Sequence, residues 1–392
     1  MKFIHAADLH LDTPFVSISN FSNSLQEDLK KSTYTAADKV FATAITEQVD
    51  FVILAGDTYD NTERTLSAQI YLQEQFERLR KNGIRVYLVY GNHDYYRNDF
   101  SVINMPDNVT VFGGEITTSE VTASDGQRVG ITGFSYYQNH ISDDMVASYP
   151  TRGNYDYQIG ILHAGIGDGN YASFTVNELL TKGYDYWALG HIHKREVLHQ
   201  NPMIIYSGDT QGRNQNELGT KGFYLVDVAN GTTNTKFVPS SVYVWESAQI
   251  DANESDTING LFDKITSTLS RYNNVEAKHL VTLTINGSQN LDENVIRSID
   301  RNELLNHFAA MNSNTILYKV YTKFDRKSQL VGIDQKYWDE SEKNVFDLND
   351  IKDMDNRLFG EEVIRQHIDS PDFVEHIKEL TKNTINKKYI GD

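Results

Sequence analysis

Five short apolar runs in this chain each end in side chains that can hold a metal ion. Lys2–Ala7 leads into Asp8-Leu9-His10, Asp50–Ala55 into Gly56-Asp57, and Arg85–Tyr90 into Gly91-Asn92-His93-Asp94. Gln158–Leu162 ends in His163, and Tyr186–Leu189 in Gly190-His191-Ile192-His193. A lone Asp-x-His or His-x-His at a strand end carries little information, whereas five such endings in one order carry a great deal. The chain has no cysteine, which removes disulfides, thiolate nucleophiles and sulfur-ligated metals. Carboxylate, imidazole, amide and water remain, so any metal here has oxygen and nitrogen ligands. Ligands gathered at one edge of a sheet, with glycines letting the backbone come close, mark the place where α/β sheets put their sites.

The elements that must position these residues show in the alternation of short apolar runs with longer helix-compatible stretches, which includes the further runs Arg128–Gly133 and Met203–Tyr206. Glu63–Asn82 reads as a helix with Leu66, Ile70, Phe76 and Leu79 on one face, stopped by Gly83. This is an α/β or α+β layer fold. Phe223–Val228 and Phe237–Trp245, around Asn230-Gly231, read as a hairpin that closes the domain near residue 248. A smaller α+β domain follows over 249–324, with helices at Asp256–Tyr272 and Leu291–Met311 and strands at His279–Ile285 and Thr315–Phe324. From 325 to 392 the chain is charged and helix-prone, with narrow apolar stripes at Val345–Leu348 and Ile364–Ile377 that fit a docking element or a solvated helical face equally.

The length of 392 residues allows two or three domains at about 150 residues each. No stretch approaches the roughly 18 apolar residues of a membrane span, and the first apolar run breaks at once into Asp8 and His10. An unprocessed cytoplasmic protein is expected. The net charge of −18 is spread along the chain, which argues against coating nucleic acid through bulk electrostatics. A nuclease is still compatible, because bound divalent cations would bring positive charge to the one place where a phosphate must sit.

The ordered set of endings resembles the calcineurin-like metallophosphoesterase superfamily. Phe3-Ile4-His5-Ala6-Ala7-Asp8-Leu9-His10-Leu11, Gly56-Asp57-Thr58-Tyr59-Asp60 and Gly190-His191-Ile192-His193-Lys194-Arg195 look like its SbcD-type DNA repair exonucleases. Ser207-Gly208-Asp209-Thr210-Gln211-Gly212-Arg213, followed by Glu217-Leu218-Gly219-Thr220-Lys221-Gly222, is similar to the YhaO-like branch. The resemblance implies a four-layer sandwich with a capping domain and a helical C-terminal tail. It implies two divalent ions, manganese foremost and magnesium, iron or zinc as others, about 3.5–4 Å apart with a carboxylate between them. On this resemblance Asp57 is the bridge, Asp8, His10 and His193 complete one ion, and Asn92, His163 and His191 complete the other. A bridging water would be the nucleophile, and His93 would face the phosphate as proton donor or transition-state stabiliser. Asp94 would either orient His93 or cap a helix.

Arg97, Lys194, Arg195 and Arg213 lie near the motifs and would hold flanking phosphates or form surface ion pairs. Asp12 and Asp60 read as acids that support the ligands from behind, as substrate-facing or as exposed loop acids, and Gly165–Gly169 as a loop beside the site. His5, His140, His199, His279, His307, His367 and His376 read as structural or surface residues. The function implied is exonuclease and endonuclease action on double- or single-stranded DNA, with an SbcC-type coiled-coil ATPase docked on the tail and pairing of two copies through the first domain. A small-molecule phosphoesterase would use the same ligands without needing a cap. A non-catalytic scaffold of this fold would typically have lost ligands, and here every position is filled.

Overall fold

The computed structural model describes residues 1–15, 23–62, 64–97, 103–253, 256–273, 276–309, 314–323 and 378. Apart from Lys378, the tail expected over 325–392 lies outside the described residues, as do His367 and His376. The chain begins with β1 (Lys2–Ala6), α1 (Asn23–Thr46), β2 (Phe51–Ala55), α2 (Leu66–Lys81), β3 (Arg85–Val89) and β4 (Val109–Val111). Next come β5 (Thr117–Thr122), β6 (Arg128–Gly133), α3 (Met145–Ser148), β7 (Tyr157–His163), α4 (Val176–Thr181), β8 (Tyr186–Gly190), β9 (Glu196–Gln200) and β10 (Met203–Tyr206). The last elements are β11 (Gly222–Ala229), β12 (Thr232–Pro239), β13 (Tyr243–Asp251), α5 (Ile258–Ser270), β14 (Lys278–Asn286), α6 (Glu293–Asp300), α7 (Glu303–Ala309) and β15 (Thr315–Lys323).

Two six-stranded sheets, β12-β11-β1-β2-β3-β4 and β5-β6-β7-β8-β10-β9, carry the first part of the chain. In the first, β1 to β4 run parallel while β11 pairs antiparallel with β1. In the second, β6, β7, β8 and β10 run parallel. Strand alternation sorts the side chains: Phe3, Phe51, Ile53 and Tyr87 pack against Ile131, Ile159, Ile161 and Tyr186 between the sheets. Ile4, Val52, Leu54 and Val86 face outward onto Val40 and Phe41 of α1 and Leu72 and Phe76 of α2. On the other side Leu162, Trp187 and Leu189 are covered by Val146 of α3 and Leu179 of α4. The result is the expected four-layer sandwich, its central strands β2, β7 and β8 buried on both faces and therefore nearly continuous in apolar residues, while β5, β9 and β12 are largely exposed.

Some local expectations change. In α2 the buried face is Ala68, Gln69, Leu72, Gln75, Phe76 and Leu79, while Leu66 and Ile70 point to solvent at 55% and 40% exposure. Asn230 and Gly231 do turn the β11–β12 hairpin, both with positive φ, but the second strand ends at Pro239 and a new one starts at Tyr243. The helix expected over Leu291–Met311 is two helices, α6 and α7, parted where Asn302 takes a φ of 57°. The chain divides into two compact units. One holds Met1–Ala248, Lys264–Leu283 and Asn302–Val320; the other holds Gln249–Asp263, Thr284–Arg301 and the described residues from Tyr321 on. Within the first, Leu25 and Leu29 of α1 pack with Tyr243, Trp245, Leu280 and Tyr318. Within the second, Asn286 and Asn290 bind the backbone of Ala252. Strands β13, β14 and β15 form a three-stranded sheet in that order.

His5 sits on the inner face of β1, where its ring nitrogens lie 3.0 Å from the Tyr186 hydroxyl and 3.1 Å from the Leu189 carbonyl. It thereby ties β1 to β8 across the core. Burial pushes its pKa down to about 3, only partly offset by the Leu189 carbonyl, so the folded ring is neutral. Unfolding lets it take a proton at its ordinary value of about 6.5. Stability from this group is present above that pH and lost as pH falls toward about 3. The metal-free protein is expected to melt at falling temperature as pH drops below about 6.5, and His5→Gln to show a shallower dependence. Identical slopes in the two proteins would remove His5 as a cause.

Candidate metal centre

The five ligand-bearing endings converge because β1, β2 and β3 of one sheet and β7 and β8 of the other all end at the same edge of the sandwich. The loop after β1 follows the loop after β2 through bonds from Asp8 N to Gly56 O, His10 N to Asp57 O and Leu11 N to Thr58 O. Across the sandwich His191 N donates to the Asp8 carboxylate at 3.1 Å, and His163 Nδ1 donates to Ala55 O at 2.9 Å. Asp8, His10, Asp57 and His191 have φ of 51°, 44°, 47° and 95°, a region costing non-glycine residues about 1–3 kcal/mol each. Two glycines are there for space. A Cβ on Gly190 would stand 1.9 Å from Ala55 O, and one on Gly91 would stand 2.2 Å from Asp57 Oδ1 and 2.5 Å from His163 Nε2.

The donor atoms fall into two sets. Asp8, His10 and His193 form one, with His10 Nε2 and His193 Nε2 only 3.2 Å apart. Asp57, His163 and His191 form the other, joined by Asn92 Oδ1 at 3.1 Å from both His163 Nε2 and His191 Nδ1. Asp57 Oδ2 lies between them, 3.3 Å from His163 Nε2 and 3.8 Å from His10 Nε2. All seven ligand positions of the sequence reading are thus brought together, grouped as the resemblance implied.

The sets fit divalent cations on chemical grounds. His193 Nδ1 faces Glu217 Oε1 at 2.9 Å, which places that ring's proton on Nδ1, while His10 Nδ1 lies 3.1 Å from Asp60 Oδ1 without a hydrogen bond to it. His193 Nε2 is then left with a lone pair aimed at His10 Nε2, 3.2 Å away, where a cation shared by the two rings would stand. In the second set burial would lower the His163 pKa, but the Asp57 charge and hydrogen bond, with Asp8, raise it to about 9. A proton there does part of what a metal ion would do. Burial and the neighbouring His163 charge lower His191 to about 3, and burial also raises Asp8. Asp57 is held well below the usual carboxylate range because His163, His93 and His10 outweigh its burial.

His93 lies beside this pair of sets. Its backbone N donates to Asp57 Oδ1 at 3.0 Å, its ring packs edge-on to His10, and its Nδ1 meets the Asp60 carbonyl at 3.0 Å. That contact corrects the expected role of Asp94. The Asp94 carboxylate is buried and accepts from Thr58 N, Tyr59 N and Gly91 N, so it staples the Asp57 loop to the Asn92 loop rather than orienting the His93 ring.

The basic residues separate. Arg97 and Lys194 are exposed. Arg195 is exposed too, but its guanidinium lies 3.8 Å from the centre of the Phe237 ring. Arg213 is corrected from phosphate holder to partly buried ion-pair partner, with Nη1 2.7 Å from Asp60 Oδ1 and Nη2 3.4 Å from Glu217 Oε1. Asp12 binds the Tyr34 and Thr65 hydroxyls, and Asp60 accepts from Thr13 and Arg213. The Gly165–Gly169 loop does lie beside the site, since Tyr171, whose carbonyl accepts from Gly165 N, packs its ring 4.5 Å from that of His191. Glu217 and Tyr171 went unread as site residues. Glu217 lies within the Glu217-Leu218-Gly219 segment already noted, but nothing in its spacing points to His193.

Residues 1–195 match the family model described as calcineurin-like phosphoesterase. The chain is 38% identical over 294 residues to the Bacillus subtilis protein named uncharacterized metallophosphoesterase YhaO, covering 74% of this chain and 72% of that one. It is 25% identical over 279 residues to the DNA double-strand break repair protein Mre11 of Methanocaldococcus jannaschii, covering 68% and 73%. With the protein of that name from Thermoplasma acidophilum it shares 23% over 312 residues, covering 76% and 80%.

The clearance at Gly91 gives a direct check. Gly91→Ala is expected to push Asp57 and His163 out of place, lowering the manganese retained after dialysis below two ions per chain and activity on phosphodiesters by at least about 100-fold. Retention of two tightly held ions would show that the two side chains can move aside.

Proposed function

Since the chain belongs to the calcineurin-like metallophosphoesterases, hydrolases of phosphoester bonds, we propose that it is a two-metal DNA phosphodiesterase of the SbcD type, an exonuclease and endonuclease in DNA repair. The observation that carries the reading is Asp57 Oδ2 shared between two donor sets, with His93 hydrogen-bonded to the same carboxylate. DNA as substrate is supported by likeness to proteins named for double-strand break repair. Two divalent ions, manganese by preference, would when bound polarise a phosphate oxygen and make a water nucleophilic near neutral pH. Asp8, His10 and His193 would hold one, and Asn92, His163 and His191 the other, with Asp57 between.

The protein's own groups do the rest. The Asp60 carbonyl accepts a hydrogen bond from His93 Nδ1–H, so that ring proton stays on His93 and Nε2 is the atom whose own proton would go to the leaving oxygen. The bond from His93 N to Asp57 keeps that ring in register with the donor sets. Arg97 and Lys194, exposed next to the motifs, would hold flanking phosphates. An SbcC-type ATPase and a second copy of this chain are proposed as partners on the resemblance alone. Among the described residues no helix is long and apolar enough to cross a membrane.

The test is cleavage of linear duplex and single-stranded DNA with manganese, magnesium or chelator. Asp57→Ala should lose both ions and all cutting, whereas His93→Ala should keep two ions and lose about 10²–10⁴ in rate. A wild-type protein that holds two ions and hydrolyses an aryl phosphate diester, yet cuts no DNA with or without an added SbcC-type ATPase, would make it a small-molecule phosphoesterase.

A further inference from the structure

The two donor sets are supported in different ways. His163 gives its Nδ1 proton to a neutral backbone carbonyl, Ala55 O. His193 instead faces a carboxylate, with Nδ1 2.9 Å from Glu217 Oε1. Arg213 Nη2 also lies 3.2 Å from that ring nitrogen. An ionised carboxylate can only accept, and Glu217 Oε1 is the nearer of the two to the ring nitrogen, so the ring proton sits on Nδ1 and points to Glu217, whose same oxygen lies 3.4 Å from Arg213 Nη2. Glu217 is in turn fixed by the backbone N of Arg213 on Oε2, and Arg213 Nη1 is anchored 2.7 Å away on Asp60 Oδ1. The main chain of His193 is held from the same segment, by Lys221 Nζ on its carbonyl at 2.9 Å.

We propose that Glu217, held by Arg213, is a positioning residue that sets the affinity of the Asp8, His10 and His193 donor set for its ion and leaves the other donor set untouched. The carboxylate fixes the tautomer that directs Nε2 toward His10 and makes the imidazole a stronger donor, as outer carboxylates do for metal-bound histidines. The inference rests on the two-metal reading above.

Manganese titration of the metal-free full chain, followed by calorimetry and by the spin-resonance signal of free manganese, tests it. The wild type should hold two ions. Glu217→Ala should weaken one of them about 10–100-fold and leave the other within about threefold. Glu217→Gln, which can still accept the ring proton, should lie between, with the melting temperature of the metal-free protein close to wild type. If Glu217→Ala fails to fold, Glu217→Gln decides. Two affinities equal to wild type in a folded variant, or both sites weakened alike, would overturn the proposal. A wild-type chain that binds no manganese would instead fail the two-metal reading itself, and the inference with it.

Discussion

His10 and His193 point ring nitrogens at each other across 3.2 Å, while Asp57, Asn92 and His163 crowd oxygen and nitrogen atoms into the space alongside. Bringing so many donor atoms together is costly, offset in part where His163 keeps a proton beside Asp57, and the sandwich has to hold them in place. Doing so takes a rigid frame, which is why the donors stand at the ends of buried parallel strands and not on free loops. The frame is closed across the sheets by His191 N on Asp8, by His163 on Ala55 and, deeper in the core, by His5 on Tyr186 and Leu189. The left-handed backbone at four of the ligands is tolerated because these bonds over-determine it.

Around that frame, charge is arranged in layers. Asp60 and Glu217 stand behind His10 and His193, Arg213 joins the two acids, and Asp94 spends its oxygens on backbone N–H groups of both neighbouring loops. Of the basic side chains near the motifs, Arg213 is committed to these acids and Arg195 is laid on an aromatic ring, which leaves Arg97 and Lys194 exposed. The positive potential that a phosphate would meet has to come chiefly from bound ions, which fits a chain of net charge −18.

The ligands were legible in the sequence because metal chemistry demands particular side chains at strand ends, and strand ends are visible as the limits of apolar runs. The α/β layering was legible for the same reason, whereas the four-layer sandwich came from the family resemblance. Arg213 and Glu217 were not, since charged loop residues look alike whether they face solvent or a histidine, and only the folded loop shows that Arg213 meets Asp60. Asp94 misled because adjacency to His93 suggested a shared task, while its carboxylate turns back toward Thr58, Tyr59 and Gly91. Leu66 and Ile70 misled because a helical face can be drawn through them, whereas the sheet takes the stripe through Leu72, Phe76 and Leu79. The break after Pro239 and the turn at Asn302 are interruptions of two or three residues inside otherwise regular patterns.

Strand β1 is central in its sheet, paired with β2 on one side and with β11 on the other, where Phe3 meets Val226. During synthesis from the N-terminus the chain can form β1, β2 and β3 early, but β1 stays open along one edge until β11 has emerged. The donor sets share this timing, because Asp8 and His10 need His191, His193 and Glu217. Contacts so distant in sequence must repay a large loop-closure entropy before they stabilise anything, which makes for slow folding. A nascent chain of this protein therefore carries an exposed apolar strand edge and half a metal site for most of the translation of its first domain, and that interval is when it is most open to mispairing and aggregation.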